Sequence, residues 1–127
     1  MNEKFIVNSV IKWLKDNGWK ISPVTYKFHG VDIKAYHKNG CQYLIECKGE
    51  NKSPNVSYNE CMGQIISRMI HKSNTNYYGI AFPDIQRYRK MIKEKLPDTI
   101  RKKLKLRIIF VNDKREVIEI RSSQRMV

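Results

Sequence analysis

Two short stretches that alternate apolar and polar residues, 31–37 and 41–48, flank Lys38-Asn39-Gly40, and no other feature of the chain restricts its fold as much. Period-two alternation gives each strand one face for the core and one for polar groups. The register decides which residues meet. A two-residue turn at Asn39-Gly40 would set Asp32 opposite Cys47 and pair apolar with polar residues throughout. A three-residue loop, 38–40 with Gly40 left-handed, instead sets Val31 against Cys47, Ile33 against Ile45, Ala35 against Tyr43 and His37 against Cys41. One face is then almost wholly apolar, and the other carries Asp32 directly opposite Glu46. A one-residue slip would move the whole apolar set to the wrong face, so burial selects the second register.

Other elements fall around this hairpin. Residues 2–17 carry Ile6, Val7, Val10, Ile11 and Leu14 at helical spacing, with Asn2 as a cap and Asn17-Gly18 as a stop. A first strand is expected over 19–26, kept near an edge by Pro23. The polar run 49–57 reads as a loop. A helix follows over 58–72, with Cys61, Met62, Ile65, Ile66, Met69 and Ile70 as its buried stripe and Glu60, Gln64, Arg68 and Lys72 recurring on another side. A short strand over 77–82 ends at Pro83. A basic helical segment, 84–105, is divided at Pro97-Asp98, and strands over 106–111 and 117–121 close the chain. The expected fold is α/β: a central mixed sheet flanked by helices in the order α-β-β-β-α-β then α-β-β, in a single domain spanning 1–127.

Charge narrows the partners. Lys and Arg total 25 against 12 Asp and Glu, a formal net charge of +13. Such an excess draws polyanions, nucleic acid first, because neutralised phosphates release condensed counterions. An anionic membrane surface is the rival, but no stretch suits a spanning or broadly amphipathic helix. The three cysteines, Cys41, Cys47 and Cys61, show no CxxC spacing, and His29, His37 and His71 do not complete a zinc site with them. The N-terminal segment lacks an apolar signal-peptide core, and a reducing cytoplasm is the expected compartment.

In an extended strand Glu46 and Lys48 share a side, and the register adds Asp32 to the same patch. Mg²⁺ takes hard oxygen ligands, commonly one or two carboxylates with water and phosphate, and Asp32 and Glu46 meet that need. Lys48 would orient or deprotonate a water, or stabilise developing charge as a fixed cation. The competing reading is an ordinary cross-strand ion pair of Asp32 or Glu46 with Lys48 on a wet sheet face.

Gly30-Val31-Asp32-Ile33 followed by Leu44-Ile45-Glu46-Cys47-Lys48-Gly49 resembles the signature of the PD-(D/E)xK nucleases, which include restriction endonucleases and archaeal-type Holliday junction resolvases. The order of elements up to about Pro83 resembles that family's core, although Val31 stands where the signature has proline. The resemblance implies a restriction-endonuclease-like fold and a phosphodiesterase dependent on Mg²⁺, with Mn²⁺ as substitute. It implies Asp32 and Glu46 as catalytic metal ligands, the Cys47 carbonyl as a further ligand and Lys48 as the family's lysine. Gln64, after Gly63, resembles the helix glutamine of several branches, and Glu3 the first-helix glutamate that completes the metal site in some, resolvases included.

Lys52, Arg68, His71 and Lys72 are the candidate nucleic-acid contacts near the site, with a longer basic stretch from Arg87 to Lys103. Tyr58, Tyr77, Tyr78 and Tyr88 would stack on bases or pack in the core. The expected activity is Mg²⁺-dependent endonucleolytic hydrolysis of nucleic acid, DNA first, with branched or junction DNA among the candidates, by a homodimer. A non-catalytic nucleic-acid-binding module with the same fold and a nuclease subunit awaiting a larger complex stand as the alternatives.

Overall fold

The computed structural model describes residues 1–22, 31–69 and 75–126. Its elements are α1 (Glu3–Asp16), β1 (Lys20–Ile21), β2 (Ile33–Tyr36), β3 (Gln42–Cys47), α2 (Pro54–Arg68), β4 (Asn76–Pro83), α3 (Gln86–Lys95), α4 (Asp98–Leu104), β5 (Leu106–Val111) and β6 (Val117–Ile120). The strands form one six-stranded sheet whose spatial order is their order in the chain. Pairing is antiparallel for β1–β2, β2–β3 and β5–β6, and parallel for β3–β4 and β4–β5. This is the expected mixed α/β sheet. The expected strand residue Pro23 and the motif's Gly30 lie outside the described residues, as do His29, Ile70, His71 and Lys72.

The sheet separates two apolar layers, as its period-two pattern dictates. On one side Ile6, Val10 and Leu14 of α1 pack on Ile33, Ala35, Tyr43, Ile45 and Cys47, with Ala81, Ile109 and Val111. On the other, Tyr58, Cys61 and Ile65 of α2 and Tyr88, Met91 and Ile92 of α3 cover Tyr78, Ile80, Phe82, Ile108 and Phe110. Parallel β3, β4 and β5 are buried on both faces and read accordingly as nearly continuous apolar runs.

The β2–β3 register is the three-residue-loop register: Ile33 pairs with Ile45, Ala35 with Tyr43 and Tyr36 with Gln42. Gly40 has φ of +91°, the left-handed conformation that the loop requires. The first helix also ends as its sequence directs. Asn2 Oδ1 accepts from Phe5 N at 2.8 Å, Asn17 caps the other end, and Gly18 follows at φ +86°.

The second helix differs from expectation. It starts at Pro54, a turn before residue 58, because proline suits the first helical turn, where no amide partner is needed. Its buried face is therefore Ser57, Tyr58, Cys61 and Ile65, while Ile66, expected in the stripe, is 47% exposed and Met62 and Met69 are half-buried. The basic segment divides as expected, and Tyr58, Tyr78 and Tyr88 are buried core residues rather than surfaces for base stacking.

Candidate metal and nucleic-acid site

The site forms where β2 begins and β3 ends. Asp32 precedes β2, and its Oδ2 accepts a hydrogen bond from Cys47 N at 2.8 Å, which fixes one carboxylate oxygen against the neighbouring strand. Glu46 lies across from it on the α2 side of the sheet. That side is not wet, contrary to the bland picture of a solvated sheet face: α2 covers it, and Glu46 is only 2% exposed. Cys61 Sγ of α2 approaches the Glu46 carbonyl at 3.8 Å.

A buried carboxylate beside another carboxylate resists ionisation. Burial, the charge of Asp32 and a hydrogen bond with Asp32 push Glu46 up to about 8, against the opposing pull of Arg68 and Lys48. Glu46 Oε1 is buried with no hydrogen-bond partner among the described residues, although Arg68 Nε stands 3.6 Å from it as an ion pair. An under-satisfied buried oxygen costs free energy unless a cation or a donor meets it.

Lys48 does not pair with either carboxylate. Its Nζ reaches Glu60 Oε2 at 3.2 Å, so the cross-strand ion pair considered for this face does not form. Burial pulls the Lys48 ammonium down, but the hydrogen bond and charge of Glu60 and the charge of Glu3 outweigh it, and the net displacement is upward. Glu3 sits exposed at the rim. Partial burial and the charge of Asp32 raise it, Lys48 lowers it and Glu60 raises it.

Glu3 reaches this rim because α1 begins against the segment after β3. Glu50 N donates to Met1 O at 2.7 Å, and a Cβ on Gly49 would fall 2.5 Å from the Asn2 carbonyl carbon and closer still to Glu3 N. Gly49 thus permits a backbone crossing that no larger residue allows. Tyr88 holds the same segment from below: its hydroxyl donates to Gly49 O at 3.1 Å and accepts from Asn51 N at 3.1 Å.

Of the residues singled out from sequence, Asp32, Glu46, Lys48 and Arg68 come together, with Glu3 at the edge. Gln64 is exposed on α2 between Glu60 and Arg68. Lys52 is exposed in the loop beyond Lys48. Beyond the residues the sequence points to, Glu60 pairs with Lys48, and Gly49 and the Tyr88 hydroxyl hold the segment after β3. The four-residue recurrence of Glu60 with Gln64 and Arg68 is the signal for Glu60, whereas the Tyr88 contact joins residues 37–39 apart and leaves none. The three cysteines are free thiols, and burial pushes Cys47 and Cys61 well up, so neither is a nucleophile.

Two adjacent carboxylates, one with an unmet buried oxygen, fit a hard divalent cation that keeps water in its shell. Among the described residues no three acidic, histidine or cysteine side chains are grouped to hold a metal by themselves. The donor set therefore suits Mg²⁺ or Mn²⁺ completed by water and phosphate, not an all-protein cage.

Among solved structures the chain is similar to an XisH family protein from Nostoc punctiforme PCC 73102, with a TM-score of 0.63 and 18% identity over 90% of this chain and 96% of that one. It is equally similar to an fdxN element excision controlling factor protein from Anabaena variabilis, with a TM-score of 0.63 and 19% identity over 91% of this chain and 96% of that one. At these identities the likeness establishes a shared fold. No protein-family model matches the chain. No curated protein sequence matches it. Among the described residues no helix is long and apolar enough to cross a membrane.

Proposed function

We propose that the chain is a metal-dependent phosphodiesterase domain of the PD-(D/E)xK type that cuts nucleic acid, with DNA as its substrate. The observation that carries this reading is the Asp32–Glu46 pair, set opposite by the hairpin register and buried under α2 with an unmet carboxylate oxygen. Asp32, Glu46 and the Cys47 carbonyl would hold Mg²⁺, or Mn²⁺ in its place. When bound, the ion supplies an acidified water and stabilises charge on the scissile phosphate.

The chain's own residues do the rest. Asp32 is aimed by the Cys47 amide, and Glu46 is held by burial in one place. The upward displacement of Lys48 keeps it an ammonium at neutral pH, which favours a fixed cation beside the phosphate over a base. Glu60 orients that ammonium. Arg68 stands ready to exchange Glu46 for a phosphate oxygen, and a planar guanidinium suits phosphate. Glu3 and Gln64, at the rim and on α2, would orient water or substrate. Lys52, with His71 and Lys72, would steady the nucleic-acid backbone. Two copies in a homodimer would cut both strands of a duplex.

The test is cleavage of labelled duplex, single-stranded, flap and four-way-junction DNA, and of RNA, with Mg²⁺, Mn²⁺ or EDTA. Cutting that needs metal and falls roughly 100-fold or more in Lys48→Ala and Glu46→Gln supports the reading. Cutting that persists in EDTA, or unchanged in both variants, refutes it.

A second reading has one observation in its favour. The Anabaena variabilis protein of the same fold is described as an excision controlling factor. By that analogy the chain would act within a DNA-rearranging complex, as a binding module or as a nuclease that is silent alone. DNA binding without cutting under every metal condition, with cutting restored by a co-purified partner, would favour it.

A further inference from the structure

Parallel pairing of β3, β4 and β5 collects their C-terminal ends, and with them Asp32, Glu46 and Lys48, at one end of the sheet. The opposite end holds the start of β5 and, through antiparallel pairing, the end of β6. There α4 delivers the chain into β5, and residues 121–126 leave β6. Between α4 and this last segment lies a cleft of about 240 Å³ whose walls include Thr99, Lys102, Ser122, Ser123 and Arg125, with Asp98 at one side.

The cleft is built on a buried cation. Arg101 is fully buried, an expensive placement unless its donors are met. Its two terminal nitrogens donate to Arg121 O at 2.7 Å, to Asp98 Oδ1 at 3.0 Å and to Gln124 O, while its buried Nε has no hydrogen-bond partner among the described residues. Gln124 also closes the turn on itself, donating from N to Arg121 O at 2.9 Å and accepting from Arg121 N at 2.7 Å. Met126 N then donates to Asp98 Oδ1 at 3.3 Å, and Asp98 is held below the usual carboxylate range, first by its hydrogen bond to Arg101. The acid on the cleft wall is thus engaged inward, and the last turn is fixed against α4.

The charge left over points outward. Elsewhere Lys12, Lys48, Arg87, Arg89, Lys90 and Arg107 pair with acids, while Lys15, Lys34, Lys93 and Lys114 make no ion pair among the described residues; what sets this end apart is the cleft that Lys102 and Arg125 line. Lys102, Lys103 and Arg121 make no ion pair among the described residues. Unpaired cations beside three short hydroxyl side chains are donors suited to phosphate oxygens. No aromatic side chain lines the cleft, so nothing there would stack on an exposed base.

We infer that this end of the sheet is a second phosphate-binding face, which holds the nucleic-acid backbone away from the carboxylate centre. It rests on the reading of the carboxylate site as acting on nucleic acid. Strand β5 has six residues. Its length, about 20 Å, separates the two places. A duplex spanning both would be gripped roughly half a helical turn from where it is cut.

The experiment is fluorescence anisotropy of a labelled short duplex in EDTA over a range of salt concentrations. It compares the native protein, the variant Lys102→Ala/Lys103→Ala/Arg121→Ala/Arg125→Ala, and the variant Lys12→Ala/Lys15→Ala/Lys114→Ala from the α1 side, with folding checked by circular dichroism. The fourfold variant should lose affinity and flatten the plot of log K against log salt by about 0.9 per phosphate contact, up to about 3.6 if all four cations make one, while the α1-side variant changes it far less. Equal slopes for the fourfold variant and the native protein, equal losses in both variants, or no duplex binding by the native protein would each overturn the inference. So would binding to phosphatidylserine vesicles without binding to the duplex. Failure of the cleavage assay with the slope change intact would sink the nuclease reading and leave this face standing.

Discussion

Glu46 is where the chain's chemistry and its stability are most tightly joined. Its carboxyl is raised to about 8, so between the ordinary carboxylate range and pH 8 the folded protein keeps a proton that the unfolded chain has released. The folded state binds more protons across that window, and stability therefore falls as pH rises through it, with a limiting slope of about 1.4 kcal/mol per pH unit for one proton. Glu46→Gln removes the titrating group. It should raise the melting temperature at pH 8 relative to the native protein and change it little at pH 5, as thermal denaturation at the two values will show. Mg²⁺ needs the ionised form, so calorimetry in buffers of different ionisation heat should find proton release on metal binding, lessening above pH 8. Arg68 lowers Glu46, so Arg68→Ala should move this proton release to higher pH. The pairing of Asp32 with Glu46 was legible because period two and one buried face admit a single register. The burial that raises Glu46 was not, because it comes from a helix that packs over the hairpin from farther along the chain.

At the scale of elements, the junction of α1, the 48–53 segment and α3 holds the site's rim. Tyr88→Phe removes the hydroxyl that bridges Gly49 O and Asn51 N, and should cost about 1 kcal/mol in urea denaturation because two partly exposed backbone groups lose their partner. Gly49→Ala should cost at least as much, since its Cβ would meet the backbone of Asn2 and Glu3 rather than a side chain that can turn away. Gly63 is the opposite case. It lies in the middle of α2, exposed, with no atom near an added Cβ. Gly63→Ala should stabilise the protein by about 0.5–1 kcal/mol in the same measurement. Caps and breakers made the limits of α1 and the division of α3 from α4 readable, because these are local effects. The start of α2 was misplaced because polar residues such as Asn51 and Ser53 read as loop, while proline at the first turn settled the outcome. At Ile66 the buried arc is narrower than the sequence suggests: it runs through Ser57, Tyr58, Cys61 and Ile65, and Ile66, about 100° around the helix from Ile65, lies outside it.

For the whole molecule, net charge of +13 is distributed unevenly rather than spread as a uniform coat. Most acids among the described residues pair with cations, and the cations left without an ion pair include a group where α4 and the last turn meet. Salt should therefore weaken nucleic-acid binding steeply while leaving metal binding at the buried carboxylates much less affected, a contrast that titrations at two ionic strengths will resolve. Composition alone announced a polyanion partner. It did not locate the basic end of the sheet, because that depends on β6 returning antiparallel to β5 and carrying Arg121 and Arg125 back beside Lys102.

The match between spatial and chain order of the strands has a consequence for how the molecule is made. No strand must be threaded between two that are already paired, so during synthesis the sheet can extend from one edge as each strand leaves the ribosome. The β2–β3 hairpin, a local contact, closes first and can bring Asp32 to Glu46 before Lys48's partner Glu60 or the guanidinium of Arg68 has left the ribosome. For that interval the nascent chain carries two facing acids with no α2 above them and water still around both. The helix that later buries them also supplies their countercharge, so the strained state of Glu46 is created only when the means to relieve it has arrived.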